Sequence, residues 1–410
     1  MHDTRELISI KEAMDCVMAF RPIGEESVPI CRALGRILAE DVVAVSDCPS
    51  VDSSLKDGFA VISRDIERAT KESPVTLRVI DTISAGEKKS LSPVAPGTAV
   101  RIMTGSRIPR GATSVLSSEF AVEVSTDTIH ALAHAEEGRN ILKKGQDIGA
   151  GECILEKGSS ITPASLGLLA ASGVDKVRVY VRPRVAIAAT GTELVYPGEP
   201  IGPGEVAASN MITLEGILKG MGIQPRCAIF RDNLHRLKQH FQELLEDHHV
   251  IFTCGGVLDG DKDFTVKAME ELGVRMLFKR VRIGPGKGIC VGVLGDRLIF
   301  NLPGGPPSNH VASLVLAVPG VKGLMGAHDP FPPRMDVELK MDLRGQATWT
   351  QFVYCILREE EGRITASLVK ARSRLMAMAY ANGLVELPEG VSSREKGDRS
   401  TAWVINWPPQ

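Results

Sequence analysis

The chain has 410 residues, with 48 Lys plus Arg against 50 Asp plus Glu, 43% apolar residues and 24% charged ones. That length exceeds one ordinary hydrophobic core and predicts about two to four domains, and the balanced charge excludes a general attraction to nucleic acid or to an anionic membrane. No apolar run approaches the length that spans a bilayer, the charged start Met1-His2-Asp3-Thr4-Arg5-Glu6 lacks a signal-peptide apolar region, and the eight cysteines are scattered without a Cys-x-x-Cys pair, so the expectation is a cytoplasmic protein with reduced thiols and no zinc site.

Residues 8–20 carry Ile8, Ala13, Met14, Val17 and Met18 at helical spacing, and 32–39 is predicted as a second helix. From residue 46 to 134 the texture changes to short β-type runs between glycines and prolines, at 75–80, 98–102, 113–116 and 128–131. This predicts a β-rich domain, 46–137, inserted into a helical and linker domain made of 1–45 and 138–176. The linker contains a helix at 163–171 predicted to pack back on the N-terminal helices. Residues 330–410 again read as short strands and predict a small C-terminal β domain.

Residues 177–329 are the most regular stretch. A continuous apolar strand at 184–190 runs into Gly191-Thr192-Glu193. Ser209 is the expected cap of a helix with Leu214, Ile217, Leu218 and Met221 on one face and Gly222 as its stop. A strand at 224–230 follows, then a helix with Asp232 as expected cap, a strand at 249–253 ending in Cys254-Gly255-Gly256, and a helix that Asp263 would cap. Segment 275–281 precedes a hairpin of 289–294 and 297–301 turning on Gly295-Asp296, and Pro303-Gly304-Gly305-Pro306 leads into a final helix. The fold class expected is therefore α/β plus β-rich domains, with a central, mostly parallel sheet covered on both faces.

In such a sheet, ligands sit beyond the carboxyl ends of the strands. The loops there, 191–193, 254–263 and 303–306, are rich in glycine, so backbone N–H groups can approach an anion and the helix N-termini favour it. A single loop of this kind is only a tight turn; several in one domain point to a phosphate site. The dinucleotide and P-loop glycine patterns are absent. Glu193, Asp232, Asp259, Asp261 and Asp263 lie on the same loops, a set of oxygens suited to Mg²⁺ beside a phosphate. A helix-cap role would by itself explain Asp232 or Asp263, and Asp259 and Asp261 could be solvated charges, whereas Glu193 has no such structural role. Asp57 in Lys56-Asp57-Gly58-Phe59-Ala60 and Thr104 in Met103-Thr104-Gly105 could each be turn residues, and Lys287 either an oxyanion ligand or a surface lysine. The histidines show no metal spacing.

The order of these motifs resembles the molybdopterin molybdenumtransferase family, the molybdenum-cofactor insertases of MoeA and gephyrin E-domain type, over essentially the whole chain. The residues that carry the resemblance are Val51-Asp52-Ser53-Ser54-Leu55-Lys56-Asp57-Gly58-Phe59-Ala60, RIMTGSRIPRGA at 101–112, Lys144-Gly145-Gln146-Asp147-Ile148, Thr190-Gly191-Thr192-Glu193-Leu194, Gly255-Gly256-Val257, Pro285-Gly286-Lys287 and Leu302-Pro303-Gly304-Gly305-Pro306. The resemblance implies an elongated homodimer of four domains, in which a β-rich domain of the other subunit closes over the molybdopterin-binding α/β domain. It implies Mg²⁺-dependent insertion of molybdate or tungstate into adenylylated molybdopterin with release of AMP, and as partners the molybdopterin adenylyltransferase and recipient molybdoenzymes. By position it implies Asp57, Glu193, Asp232 and Asp263 as catalytic residues, with Asp57, Glu193 and Asp263 on the metal. Thr104, Gly191, Thr192, Gly255, Gly256, Lys279, Lys287, Pro303, Gly304, Pro306 and Ser373 would bind cofactor, Lys287 and Ser373 serving the oxyanion, and Asp147 matches a family position as well.

The chain departs from the family pattern at the anion loops. Cys254 and Leu258 stand where the family has serines, Gly284 and Gly288 flank Lys287 where it has Lys and Pro, Gly305 replaces an Asn, Thr113 an Asp, and Tyr354 falls at a family arginine. A hydrogen bond to a charged group contributes about 1.5–3 kcal/mol, so two fewer cations would weaken an oxyanion by roughly a hundredfold or more. Arg280 and Arg282, which strand alternation puts on a common face, are the candidates to compensate. The alternative expectations are a carrier that binds molybdopterin or finished cofactor without inserting metal, and a scaffold that uses the fold for protein contacts.

Overall fold

The computed structural model describes residues 7–87, 92–255 and 264–406, which fall into two compact units. One comprises Ser27–Leu34 and Glu40–Arg178; the other comprises Met1–Glu26, Gly35–Ala39 and Val179–Gln410.

In the first unit, alternating short strands build a six-stranded sheet in the order Ser114–Ser117, Gly58–Val61, Thr98–Ile102, Val75–Ile83, Thr128–Ala131, Ala121–Ser125. Phe59, Val61, Leu77, Leu116 and Ile129 pack in one core cluster while Ala60, Ile83, Val100 and Ile102 pack in another. Adjacent residues of one strand thus point to opposite faces, the period of two that strands impose. The Gly58–Val61 strand starts directly after Asp57. Its glycine is required by close packing, since a Cβ there would lie 2.0 Å from the Leu116 carbonyl oxygen. Helix Pro163–Ala171 starts as expected, with Thr162 accepting from the Ser165 amide and proline in the first turn.

The helix expected at 32–39 does not form. A short 3-10 turn, Ile30–Arg32, ends ahead of Gly35, whose φ of +68° is left-handed and breaks a right-handed helix. Arg36 turns inward instead, donating to the Tyr180 carbonyl at 2.7 Å and pairing with Glu26.

The second unit contains the α/β sheet, in the order Arg226–Phe230, Val185–Thr190, Val250–Cys254, Arg297–Leu302, Cys290–Leu294, Arg275–Phe278. The first four strands are parallel and the last two are antiparallel additions. Val185, Ile187 and Ala189 face a core shared with helices Ile10–Met18 and Ser209–Gly220, and Ala186 and Ala188 face one shared with Leu234–Asp247 and Phe264–Glu271. Helices on both faces explain why the strand is apolar at every position. The hairpin at Gly295-Asp296 forms in the expected register, Leu294 opposite Arg297.

Two expected caps are corrected. Helix Leu234–Asp247 is capped by Asn233, which accepts from the Arg236 amide at 3.0 Å, so Asp232 lies one residue outside and is free of that duty. Helix Ser209–Gly220 follows Ala208 with no side-chain cap, and Ser209 is its first helical residue.

After the 303–306 loop the chain runs through Pro306–Ala312, a π-helical turn at Ser313–Ala317, and Val318–Leu324. The wide turn accommodates Pro319, which lacks an amide donor and would crowd the carbonyl four residues back in a regular helix. The C-terminal β domain is a six-stranded sheet in which Thr350–Glu360 and Gly383–Leu387 also pair. One of its strands, Ile283–Gly284, comes from the α/β segment and lies parallel to Thr350 and Gln351. The fold class is as the sequence predicts.

Candidate functional site

Three neighbouring parallel strands end on the same edge, and each runs into a glycine-bearing loop. The Gly191 amide donates to Phe230 O at 3.1 Å and the Gly255 amide to Leu302 O at 3.1 Å, so backbone bonds between strand ends fix the loops. Gly255 has a φ of +107°, and a Cβ there would sit 2.6 Å from Thr190 O. A Cβ on Gly304 would come 3.7 Å from the Cα of Gly255, and at Gly191 it would meet the Glu193 carboxylate at 2.7 Å. At Gly255 only glycine allows so close an approach to the neighbouring backbone, whereas the contact at Gly304 is an ordinary one and that at Gly191 is to a mobile side-chain end.

Thr192 donates its amide to Asp232 Oδ2 at 3.3 Å, so Asp232 ties the 191–193 loop to the end of the neighbouring strand. Glu193 is exposed. Pro303 is buried with its carbonyl accepting from Asn309 Nδ2 at 3.1 Å, and Gly304 is exposed with its carbonyl accepting from Asn210 Nδ2 at 2.8 Å. Under this loop Cys254 is buried and bonded to Asn309; burial pushes its thiol up to about 12, so it is a protonated filler and not a thiolate.

A second cluster lies by the start of helix Pro306–Ala312. Gly286 packs against Ile283 and toward Ser308 O, which brings the Lys287 loop to the start of helix Pro306–Ala312. Lys287 is exposed, with its Nζ 5.2 Å from the centroid of Trp349, a cation–π contact. Arg282, one of the two arginines expected to compensate, is engaged by Glu389 at 3.1 Å, and Lys279 by Glu270 at 3.2 Å. Tyr354 meets His310 instead of the solvent: its hydroxyl lies 2.9 Å from His310 Nδ1. Burial holds His310 down at about 4 and raises Tyr354, so both are neutral near pH 7. Ser373 is exposed and caps helix Arg374–Tyr380, accepting from the Met376 amide at 3.2 Å.

Asp57 and Thr104 belong to the other unit. There Asp57 Oδ1 accepts from both the amide and the hydroxyl of Thr104, at 2.7 and 2.8 Å. The amide first and the hydroxyl second hold its carboxyl below the ordinary aspartate value. Asp147 is exposed. Gly256, Val257, Leu258, Asp259, Asp261 and Asp263 lie outside the described residues. Among the described residues no three His, Cys, Asp or Glu side chains converge as a metal cage. Asn210, Asn309, His310 and Trp349 were not legible as site residues, although Asn309 and His310 do stand out as polar neighbours ahead of an apolar helical run.

Comparison with known proteins bears on this geometry. Residues 8–173 match the model of the MoeA N-terminal region (domain I and II), 186–322 a probable molybdopterin binding domain, and 336–404 the MoeA C-terminal region (domain IV). The chain is 33% identical to molybdopterin molybdenumtransferase 2 of Mycobacterium tuberculosis over 95% of its length and 97% of that protein. It is 34% identical to the molybdopterin molybdenumtransferase of Bacillus subtilis, over 97% and 94%. Among solved structures, a molybdopterin biosynthesis MoeA protein from Pyrococcus horikosii superimposes with a TM-score of 0.81 at 29% identity, covering 98% of this chain and 100% of that one.

Proposed function

The chain belongs to the MoeA family of molybdopterin molybdenumtransferases, and on that premise we propose that it acts in molybdenum-cofactor biosynthesis, inserting molybdate or tungstate into adenylylated molybdopterin with Mg²⁺ and releasing AMP. The observation that carries this reading is the shared edge where Gly191, Gly255 and Gly304 bring three strand ends together beside Glu193 and Asp232. Bare backbone there suits the pterin phosphates.

The metal fit is of one kind only. With no three-ligand cage among the described residues, an all-protein site is not what they offer. Mg²⁺ instead takes one or two carboxylates plus substrate phosphate, and Glu193 and Asp232 supply carboxylates at the right edge, with Asp263 as a further candidate. When bound, the ion would neutralise the pyrophosphate. Asp232 holds the 191–193 loop in place, Thr192 and the glycine backbones would orient the phosphates, Lys287 and Ser373 would receive the oxyanion, and Pro303, Gly304 and Pro306 would bind the cofactor. Asp57 and Thr104 would come from a second copy in a cytoplasmic homodimer. The adenylyltransferase that makes the substrate and the recipient molybdoenzymes are the expected partners.

Incubating full-length protein with adenylylated molybdopterin, Mg²⁺ and molybdate or tungstate tests this. Metal-dependent AMP release is expected, and Glu193→Gln should abolish it while leaving pterin binding largely intact. Tight pterin binding without AMP release in the unaltered protein would instead leave a carrier, and no pterin binding a scaffold.

A further inference from the structure

We propose that His310 and Tyr354 are a positioning pair, whose hydrogen bond fixes the C-terminal β domain against the first turn of helix Pro306–Ala312 and so sets the spacing between the Lys287 and Gly304 loops. The consequence for substrate rests on the reading that this edge receives an oxyanion.

Strand Thr350–Glu360 meets the chain next to both loops: it pairs with Ile283–Gly284 ahead of Lys287 and reaches helix Pro306–Ala312 after Gly304. Just ahead of it, Trp349 lies over Lys287 at 5.2 Å, and its first residue donates its amide to Arg282 O at 3.1 Å. Further along the same strand, Tyr354 stacks on His310 with ring centroids 5.9 Å apart and planes 7° from parallel. Its hydroxyl is also 3.4 Å from Pro307 O. It can therefore donate to that carbonyl while accepting from His310 Nδ1, or donate to Nδ1 in the other tautomer. Either way the side chain grips the turn that follows Gly304 and Gly305. A slip of the strand along the helix would move Trp349, and with it Lys287, relative to the Gly304 loop.

The pair is suited to holding and not to chemistry. His310 is only 9% exposed, and burial keeps both partners uncharged near neutrality. Neither ring contributes a charge to an anion or exchanges a proton readily at that pH. A buried polar group stays stable only when it is bonded, so the geometry is specified more sharply than an apolar contact of the same size would specify it.

The test uses full-length protein, with Tyr354→Phe, His310→Leu and the double variant. Tyr354→Phe keeps the ring and removes only the hydroxyl. Hydrogen exchange at the amides of Gly304, Gly305, Ser308 and Asn309 should quicken by about fivefold to tenfold, the size expected for one neutral hydrogen bond. The KM for molybdate in AMP release should rise by a similar factor with kcat within about twofold, and the double variant should be no worse than the worse single one. Unchanged exchange in Tyr354→Phe would overturn the proposal whether or not the enzyme is active. So would a lowered melting temperature with an unchanged KM, the signature of packing alone, or single effects that multiply in the double variant. Absence of AMP release in the unaltered protein would remove the insertase reading, and the exchange measurement would still decide the pair.

Discussion

At the 191–193 edge Glu193 is exposed and Asp232 half-buried, and the backbone is fixed by strand-end hydrogen bonds and by Gly255, which leaves no room for a Cβ. By the 303–306 loop the order is reversed: buried Cys254, Asn309 and His310 and the partly buried Tyr354 are polar neighbours whose titratable groups are neutral near pH 7. The difference follows from the cost of burial. A carboxylate can stay ionised at an exposed rim, whereas a group taken out of water must either lose its charge or gain an opposite one. The half of the site expected to meet metal and phosphate therefore presents its carboxylates toward water, and the half expected to meet the oxyanion depends on shape, with Lys287 as the cation of its loop.

The largest effect that would sharpen this contrast is in thiol reactivity. Cys31 and Cys153 are exposed, while Cys254 is buried with its thiol near 12 against an ordinary 9.0. Native alkylation at pH 8, read by mass spectrometry, should modify Cys254 about a thousandfold more slowly than the exposed pair. Comparable rates would mean that the layer under the loop is open to water.

Next comes acid sensitivity. His310 has its folded value lowered to about 4 from 6.5, so between those values the unfolded chain binds a proton that the folded chain does not. Stability from this source is complete above about pH 6.5 and lost as pH falls toward 4, by roughly 3 kcal/mol. Denaturant unfolding across this range should show that slope, and His310→Leu should reduce it.

The smallest effect concerns the backbone half. Gly255→Ala would place a Cβ 2.6 Å from Thr190 O at a φ of +107°, and a destabilisation of about 2 kcal/mol is expected in the same assay. A neutral result would show that the strand ends can separate, and that the close approach there is not needed.

Much of the fold was legible because its signals are local. Apolar runs located the strands Val185–Thr190 and Arg297–Leu302 to within a residue, and Gly295-Asp296 located the antiparallel neighbour of the second. Errors arose where a choice between adjacent residues, or a neighbour distant in the chain, decides. Asp232 has the chemistry of a helix cap, yet Asn233 next to it takes that role and Asp232 holds Thr192 instead. Arg36 lies in a stretch with helical composition, but Glu26 and the Tyr180 carbonyl draw it inward beyond a left-handed Gly35.

The site divides along the same line. From the sequence alone came the α/β sheet, the glycine loops at its carboxyl edge, the candidate acids and the resemblance to the molybdopterin molybdenumtransferases, because periodicity and motif spacing are properties of contiguous residues. Only the tertiary structure assigned Arg282 to Glu389, placed Lys287 under Trp349 and joined Tyr354 to His310, 44 positions apart in the chain. Side-chain partnership and desolvation depend on what packs against a residue, and residue order alone does not specify that.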